Sequence, residues 1–215
     1  MTETDEAALA RKADHDDYGI AYIKTFPDDL SKFKGLLDDF LRLVPAKSRI
    51  LDIGCGNGSY VSYMLKQGHD AIGIDISLTM LEEAKKVVPE ERLFLMDMHA
   101  MEKLGEGTFD CVLSITSMLY ANKEYLPRVL KQVYRLLKPG GKFLLMMLEG
   151  EGDGLIKHSF GGSEVVTYTT YYQVNELKER VESGGFAIEQ ERLTNLVVSS
   201  HQEISLFCAK NPENA

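Results

Sequence analysis

The segment Arg49-Ile50-Leu51-Asp52-Ile53-Gly54-Cys55-Gly56-Asn57-Gly58-Ser59-Tyr60 decides how the rest of the chain is read. Ile50, Leu51 and Ile53 make a short apolar run. Gly54, Gly56 and Gly58 follow at alternate positions, and a helical pattern begins at Tyr60. Glycine is placed where φ must be positive or where another group must approach bare backbone. A strand that runs into a glycine turn and then a helix forms a concave end, expected to be lined by backbone N–H groups. Asp52 interrupts the apolar run, and a carboxylate there needs a positive group or several donors.

The chain has 215 residues, enough for one domain with its own core. Its formal net charge of −9 argues against a broad nucleic-acid surface, so no DNA partner is expected. The three cysteines, Cys55, Cys111 and Cys208, are too few and too scattered for a disulfide framework. No apolar run reaches membrane-span length, so no membrane insertion is expected. The polar, acidic start does not read as a signal peptide, which points to a cytoplasmic protein.

Three carboxylates recur at the ends of short apolar runs. Beyond Asp52, the run Ala71–Ile76 carries Asp75, 21 residues after Gly54. A carboxylate at that place can accept hydrogen bonds from ribose hydroxyls. The run Leu93–Met96 is followed by Asp97, which taken alone reads as a cap for the segment after it. His99 reads as a loop residue. A fourth strand is expected over Phe109–Ser114, and a fifth after the turn Lys138-Pro139-Gly140-Gly141. Leu30, Phe33, Leu37, Phe40, Leu41 and Val44 keep helical spacing before Pro45. Val174, Leu177 and Val181 do so again before Gly184-Gly185, and two strands are expected after them.

The motif Leu51-Asp-Ile-Gly-Cys-Gly-Asn-Gly58 resembles motif I of the class I S-adenosylmethionine (SAM)-dependent methyltransferases, and the Lys-Pro-Gly-Gly turn is similar to the one before their fifth strand. The order of signals from Arg49 to Lys210 resembles the type 11 group, which includes quinone-biosynthesis-like enzymes. The resemblance implies an α/β fold: a three-layer, Rossmann-like, seven-stranded sheet of order 3-2-1-4-5-7-6 with strand 7 antiparallel. It implies one domain over residues 1–215. That domain divides into a helical lid at 1–45, a cofactor core at 46–148, an acceptor-side insertion at 149–172, and a final helix and strand pair at 173–215.

The same resemblance implies the site. SAM, with S-adenosylhomocysteine as product, would meet Asp52, Gly54, Cys55, Gly56 and Gly58 through its methionine half. Asp75 would meet the ribose and Asp97 the adenine amino group, with Ile76 and Met98 flanking the ring. The backbone carbonyl of Ser114 would face the ammonium. Tyr18 and Tyr22, four residues apart, would belong to a closing lid or simply pack at the periphery. The irregular stretch Glu149–Tyr172 offers Tyr168, Tyr171 and Tyr172 as an acceptor pocket or as core. His158 and Tyr120 are the candidate bases, and the chain offers no evident histidine–carboxylate pair. Glu149, Glu151 and Asp153 read as a solvated loop, so no metal is expected.

The expected activity is methyl transfer to a small-molecule acceptor, by a monomer or homodimer. Three alternatives remain at this point: a SAM-binding protein without transferase activity, a protein or RNA methyltransferase, and an NAD-dependent oxidoreductase. The loop after the fourth strand lacks the Asn/Asp-Pro-Pro-Tyr/Phe signature of DNA-base methyltransferases. For the dinucleotide fingerprint the third glycine would fall at Ser59. Tyr134 and Lys138 match the spacing of a short-chain dehydrogenase pair, but the glycine turn begins too late in the chain for that family.

Overall fold

A computed structural model describes residues 5–25, 29–160, 163–195 and 202–211, with side chains for 15–25, 30–157, 164–195 and 202–211. Two helices come first, α1 (Asp5–Thr25) and α2 (Asp29–Leu41). Alternating strands and helices follow: β1 (Arg49–Ile53), α3 (Ser59–Lys66), β2 (Asp70–Asp75), α4 (Leu78–Ala84), β3 (Leu93–Leu95), β4 (Phe109–Ile115), α5 (Leu126–Leu136) and β5 (Leu137–Glu149). The chain ends with β6 (Asp153–Phe160), β7 (Ser163–Tyr172), α6 (Val174–Ser183), β8 (Phe186–Asn195) and β9 (Gln202–Lys210).

The main sheet runs β3-β2-β1-β4-β5-β9-β8. The first five strands are parallel and β9 enters antiparallel between β5 and β8. This is the expected seven-strand order, with β8 and β9 as the family's last two strands.

The sheet separates two cores, as the two-residue alternation of buried strands requires. Leu51, Ile53, Phe143, Leu145 and Met147 face α5 and α6, whose Leu130, Val133, Leu177 and Val181 are fully buried. Ile50, Leu144 and Met146 face Phe33, Leu37 and Phe40 of α2 and Val61 and Met64 of α3. The helical stripe read over residues 30–44 is therefore core, although α2 stops at Leu41 rather than Val44.

The expectation for Glu149–Tyr172 is corrected. This stretch is not an irregular loop but a β-hairpin, with β6 and β7 antiparallel from Asp153↔Thr170 to Phe160↔Ser163. Among the described residues the hairpin joins the sheet at its root, where Leu148 and Glu149 of β5 pair in parallel with Tyr171 and Tyr172. It brings the sheet to nine strands. The reason is local. Val165 to Tyr172 are all β-branched or aromatic, and such side chains favour a pleated, half-buried surface. The glycines and acids at the start of the stretch concealed that run. Gly161 and Gly162, also read as loop, lie outside the described residues.

The antiparallel insertion of β9 ties the two ends of the domain together. Phe207 is 1% exposed and packs against Phe40 of α2 with ring centres 6.3 Å apart. Phe207→Ala leaves a cavity at this seam and is expected to cost about 3–5 kcal/mol. Urea unfolding of the variant checks this, as a lower midpoint at unchanged slope.

Candidate active site

The strands β1, β2 and β4 end at a cleft of about 910 Å³, its open mouth included. Crevices at the carboxyl ends of parallel strands are where such sheets bind ligands. The cleft is lined by the loop Gly54–Asn57, by Asp75–Ser77, by Met96–His99 and by Ile115–Ser117. Tyr120 and the α1 residues His15, Tyr18 and Tyr22 complete it.

The glycine loop is built differently from the expected row of free donors. The N–H groups of Gly54 and Cys55 both donate to the Ile74 carbonyl, at 2.8 and 2.9 Å. Gly56 N–H donates to Asp75 Oδ2 at 2.8 Å. Gly58 N–H donates to the Cys55 carbonyl, and Ser59 N–H to Asn57 Oδ1. The loop thus stitches β1 to β2 instead of presenting a cradle for phosphate. Gly54 has φ +71°, and a Cβ there would fall 2.2 Å from Ser117 Cβ. A Cβ on Gly58 would fall 2.9 Å from Ala84 and Val88, so this glycine serves the packing of α4 and does not line the cleft.

Asp75 spans two elements. Its Oδ1 accepts from Ser77 N–H and its Oδ2 from Gly56 N–H, both at 2.8 Å. Burial pushes its carboxyl above the ordinary range, against the pull of those donors and of nearby His15. Burial likewise pushes the Cys55 thiol well up, with Asp75 and Asp52 adding to the effect, so Cys55 stays protonated and unreactive.

Asp97 stands just beyond the end of β3. It faces the cleft, and its Oδ1 caps the following 3-10 turn, Met98–Lys103, by accepting from His99 N–H at 2.8 Å. His99 is not a plain loop residue. Its Nδ1 lies 2.7 Å from the same Asp97 oxygen, forming a histidine–carboxylate pair that was not evident in the sequence. The Asp97-x-His99 spacing held the signal, because a residue two beyond a capping carboxylate can turn back onto it.

The structure brings Tyr18, Tyr22, Gly54, Cys55, Gly56, Asp75, Ile76, Asp97, Met98 and Tyr120 to one cleft. Asp52, Gly58 and Ser114 lie behind it. Asp52 is 1% exposed, and the Ser114 hydroxyl bonds Ser117 Oγ at 2.6 Å. The three tyrosines read for an acceptor pocket are elsewhere. Tyr172 is fully buried in the core beneath Lys123, Tyr168 bonds Asp153 across the hairpin, and Tyr171 packs on Gly150. None of the three is among the residues that line the cleft. His158 is placed by backbone alone, opposite Val165 in the hairpin.

Three residues, His15, Asp16 and Thr116, escaped the sequence reading. His15 meets the Tyr120 ring edge-on at 5.1 Å, while Tyr18 packs on both Tyr22 and Tyr120 at about 5.5 Å. Thr116 takes φ +54°, a strained value for a β-branched residue, at the exit of β4. Asp16 fastens α1 over the cleft: its Oδ1 accepts from the Ser77 hydroxyl at 2.6 Å and from Thr79 N–H at 3.1 Å. No pattern in α1 alone marks His15 and Asp16, because their partners lie more than fifty residues away in sequence.

The fold is that of the class I SAM-dependent methyltransferases. Residues 51–145 match the family described as a methyltransferase domain, and this segment belongs to its type 11 group. The chain is 32% identical over 133 residues to an S-adenosyl-L-methionine-dependent Diels-Alderase of Talaromyces variabilis, covering 58% of this chain and 44% of that protein. It is 32% identical over 135 residues to an 18S rRNA (guanine-N(7))-methyltransferase of Bos taurus, covering 55% and 48%. The chain thus spans about half the length of the curated relatives it matches. Among solved structures, a 1,6-didemethyltoxoflavin-N1-methyltransferase of Burkholderia thailandensis superposes with TM-score 0.69 at 17% identity, over 98% of this chain and 92% of that one. At that identity the likeness is one of fold.

The Asp16 latch has a direct consequence. Asp16→Ala is expected to raise amide hydrogen exchange across residues 15–25 while leaving β1 and β2 protected. Exchange followed by mass spectrometry reads both segments at once.

Proposed function

We propose that this chain binds SAM in the cleft and transfers its methyl group to a small-molecule acceptor. The observation that carries the proposal is the donor set of the cleft. Two carboxylates, Asp75 and Asp97, stand on successive strand ends with apolar Ile76 and Met98 beside them, and the N–H groups of Gly54, Cys55, Gly56 and Gly58 are all bonded within the protein. That arrangement suits a nucleoside without phosphate. A dinucleotide needs free loop donors for its pyrophosphate. The NAD-dependent reading therefore loses its physical basis.

In this reading Asp75 accepts from the ribose hydroxyls, Asp97 accepts from the adenine amine, and Ile76 and Met98 cover the ring. The cofactor would supply a methyl group already activated on a sulfonium. What remains for the protein is alignment and exclusion of water, and alignment alone can be worth about 7–11 kcal/mol. Tyr18, Tyr22, Tyr120 and His15 close the cleft from above with aromatic surface, which suits an apolar or planar acceptor. The Tyr120 phenol is pushed well above its ordinary range by burial, with Tyr18 adding to the effect. It is therefore a neutral hydrogen-bonding group near pH 7 and a poor base. The chain's net charge of −9 works against an RNA acceptor such as the one named for the bovine relative.

A second reading has one finding behind it. The Talaromyces relative is named a Diels-Alderase, so a domain of this kind can hold SAM while other chemistry proceeds. Release of S-adenosylhomocysteine separates the two readings, because only methyl transfer produces it.

The first test is calorimetric titration with SAM and S-adenosylhomocysteine. Wild type is expected to bind with micromolar affinity, about −8 kcal/mol. Asp75→Ala is expected to weaken binding at least tenfold. No binding by a folded wild type overturns the proposal. Once an acceptor is found, Tyr120→Phe is expected to leave the shape of the pH–rate profile unchanged below about pH 9. Disappearance of a basic-side limb in that variant would restore Tyr120 as the base.

A further inference from the structure

We propose that His99 is a positioning residue for Asp97, fixing the carboxylate in the orientation that reads the exocyclic amine of an adenine. The inference rests on the cofactor reading above and goes one residue beyond it. His99 does not belong to the strand ends or the glycine loop.

The geometry is unusual in its economy. A single carboxylate oxygen, Asp97 Oδ1, meets both the backbone N–H of His99 at 2.8 Å and its Nδ1 at 2.7 Å. A carboxylate only accepts, so Nδ1 carries the hydrogen, and in the neutral ring Nε2 is left as an acceptor. Two donors from one residue hold one oxygen, and rotation about the last side-chain bond of Asp97 would break both contacts. The carboxylate plane is thereby set before any ligand arrives.

His99 is held in its turn. The residue is 7% exposed. Its carbonyl accepts from Gln132 Nε2 of α5 at 3.1 Å, and its ring meets Tyr125 edge-on at 5.3 Å. The remaining ring nitrogen, Nε2, is buried with no hydrogen-bond partner. Leaving a polar atom so placed costs about 1–3 kcal/mol, and a residue that served packing alone would avoid that cost by being apolar. The buried Nε2 also decides between two roles. A general base must reach its proton within hydrogen-bond distance of the substrate, directly or through one water. This nitrogen has no solvent-facing surface, so His99 acts through Asp97 and not on an acceptor.

Preorganisation of this kind shows itself as selectivity. A site built to bond a donor rejects the analogue that lacks it far more strongly than it rejects a change of size. The probes are S-adenosylhomocysteine and its inosine counterpart, in which the exocyclic amine is replaced by an oxygen. Wild type is expected to prefer the adenine form at least tenfold by calorimetry. His99→Phe keeps the ring against Tyr125 but removes the donor, and its preference is expected to fall below about threefold. His99→Asn, whose amide N–H can take the place of Nδ1–H, is expected to restore most of the preference. Gln132→Met loosens the same turn without touching the pair and is expected to keep the wild-type preference.

A His99→Phe protein with wild-type preference overturns the inference, even if it binds both probes more weakly. So does a folded His99→Asn variant that fails to recover the preference. Failure of wild type to bind either probe overturns the cofactor reading itself, and the two failures are therefore distinct.

Discussion

The hydrogen bond from Gly56 N–H to Asp75 Oδ2 holds the ends of two parallel strands in fixed relation, and the cleft depends on it. On one side the carboxylate receives the loop that leaves β1. On the other it receives Ser77 N–H, where the chain turns into α4. Ser77 passes the connection on through its hydroxyl to Asp16 of α1. A single carboxylate thus links the strand ends, the first turn of a helix and the covering helix. Its burial is unfavourable to the charge it carries, and the backbone donors around it offset part of that penalty.

This arrangement gives the glycines a meaning other than ligand contact. Gly54 is small because Ser117 occupies the space where a side chain would be, and Ser117 in turn bonds the Ile53 carbonyl and Ser114. The exits of β1 and β4 are locked edge to edge. The positive φ at Thr116 lies in the same corner, where the chain must turn sharply to keep Ser117 in place. Strain held beside a ligand cleft by surrounding bonds is the usual company of a preorganised site.

How much of this could be read from residues alone depended on the range of the interaction. The strand–turn–helix from Arg49, the carboxylates at strand ends and the helical stripe of α2 are local patterns, and each stands in the structure within a few residues of its expected bounds. The hairpin was missed because two glycine-rich acidic turns outweighed the alternation in Val165–Tyr172. The tyrosines of that run read as an acceptor pocket or as core, and Tyr172 is core. The His99 pair was within reach, two residues apart, but a lone histidine carries no sign of which way its ring will fold. The Asp16 contact and the His15–Tyr120 pair were beyond reach, since nothing near them in sequence marks the partner.

The position of β9 bears on how the molecule comes to exist at all. Until residues 202–210 leave the ribosome, the outer edge of β5 from Lys142 to Leu148 has no strand beside it. Phe143 to Met147, which are fully buried in the finished fold, wait behind that open edge. Pairing across so long a stretch of chain is slow, because loop-closure entropy must be overcome before any contact rewards it. An apolar strand edge waiting for a distant partner is also a template for the same strand of another nascent chain. The strand insertion that joins β9 to α2 therefore makes the interval before residues 202–210 are in place the most hazardous one for this edge, and ties its safety to the speed with which β9 arrives.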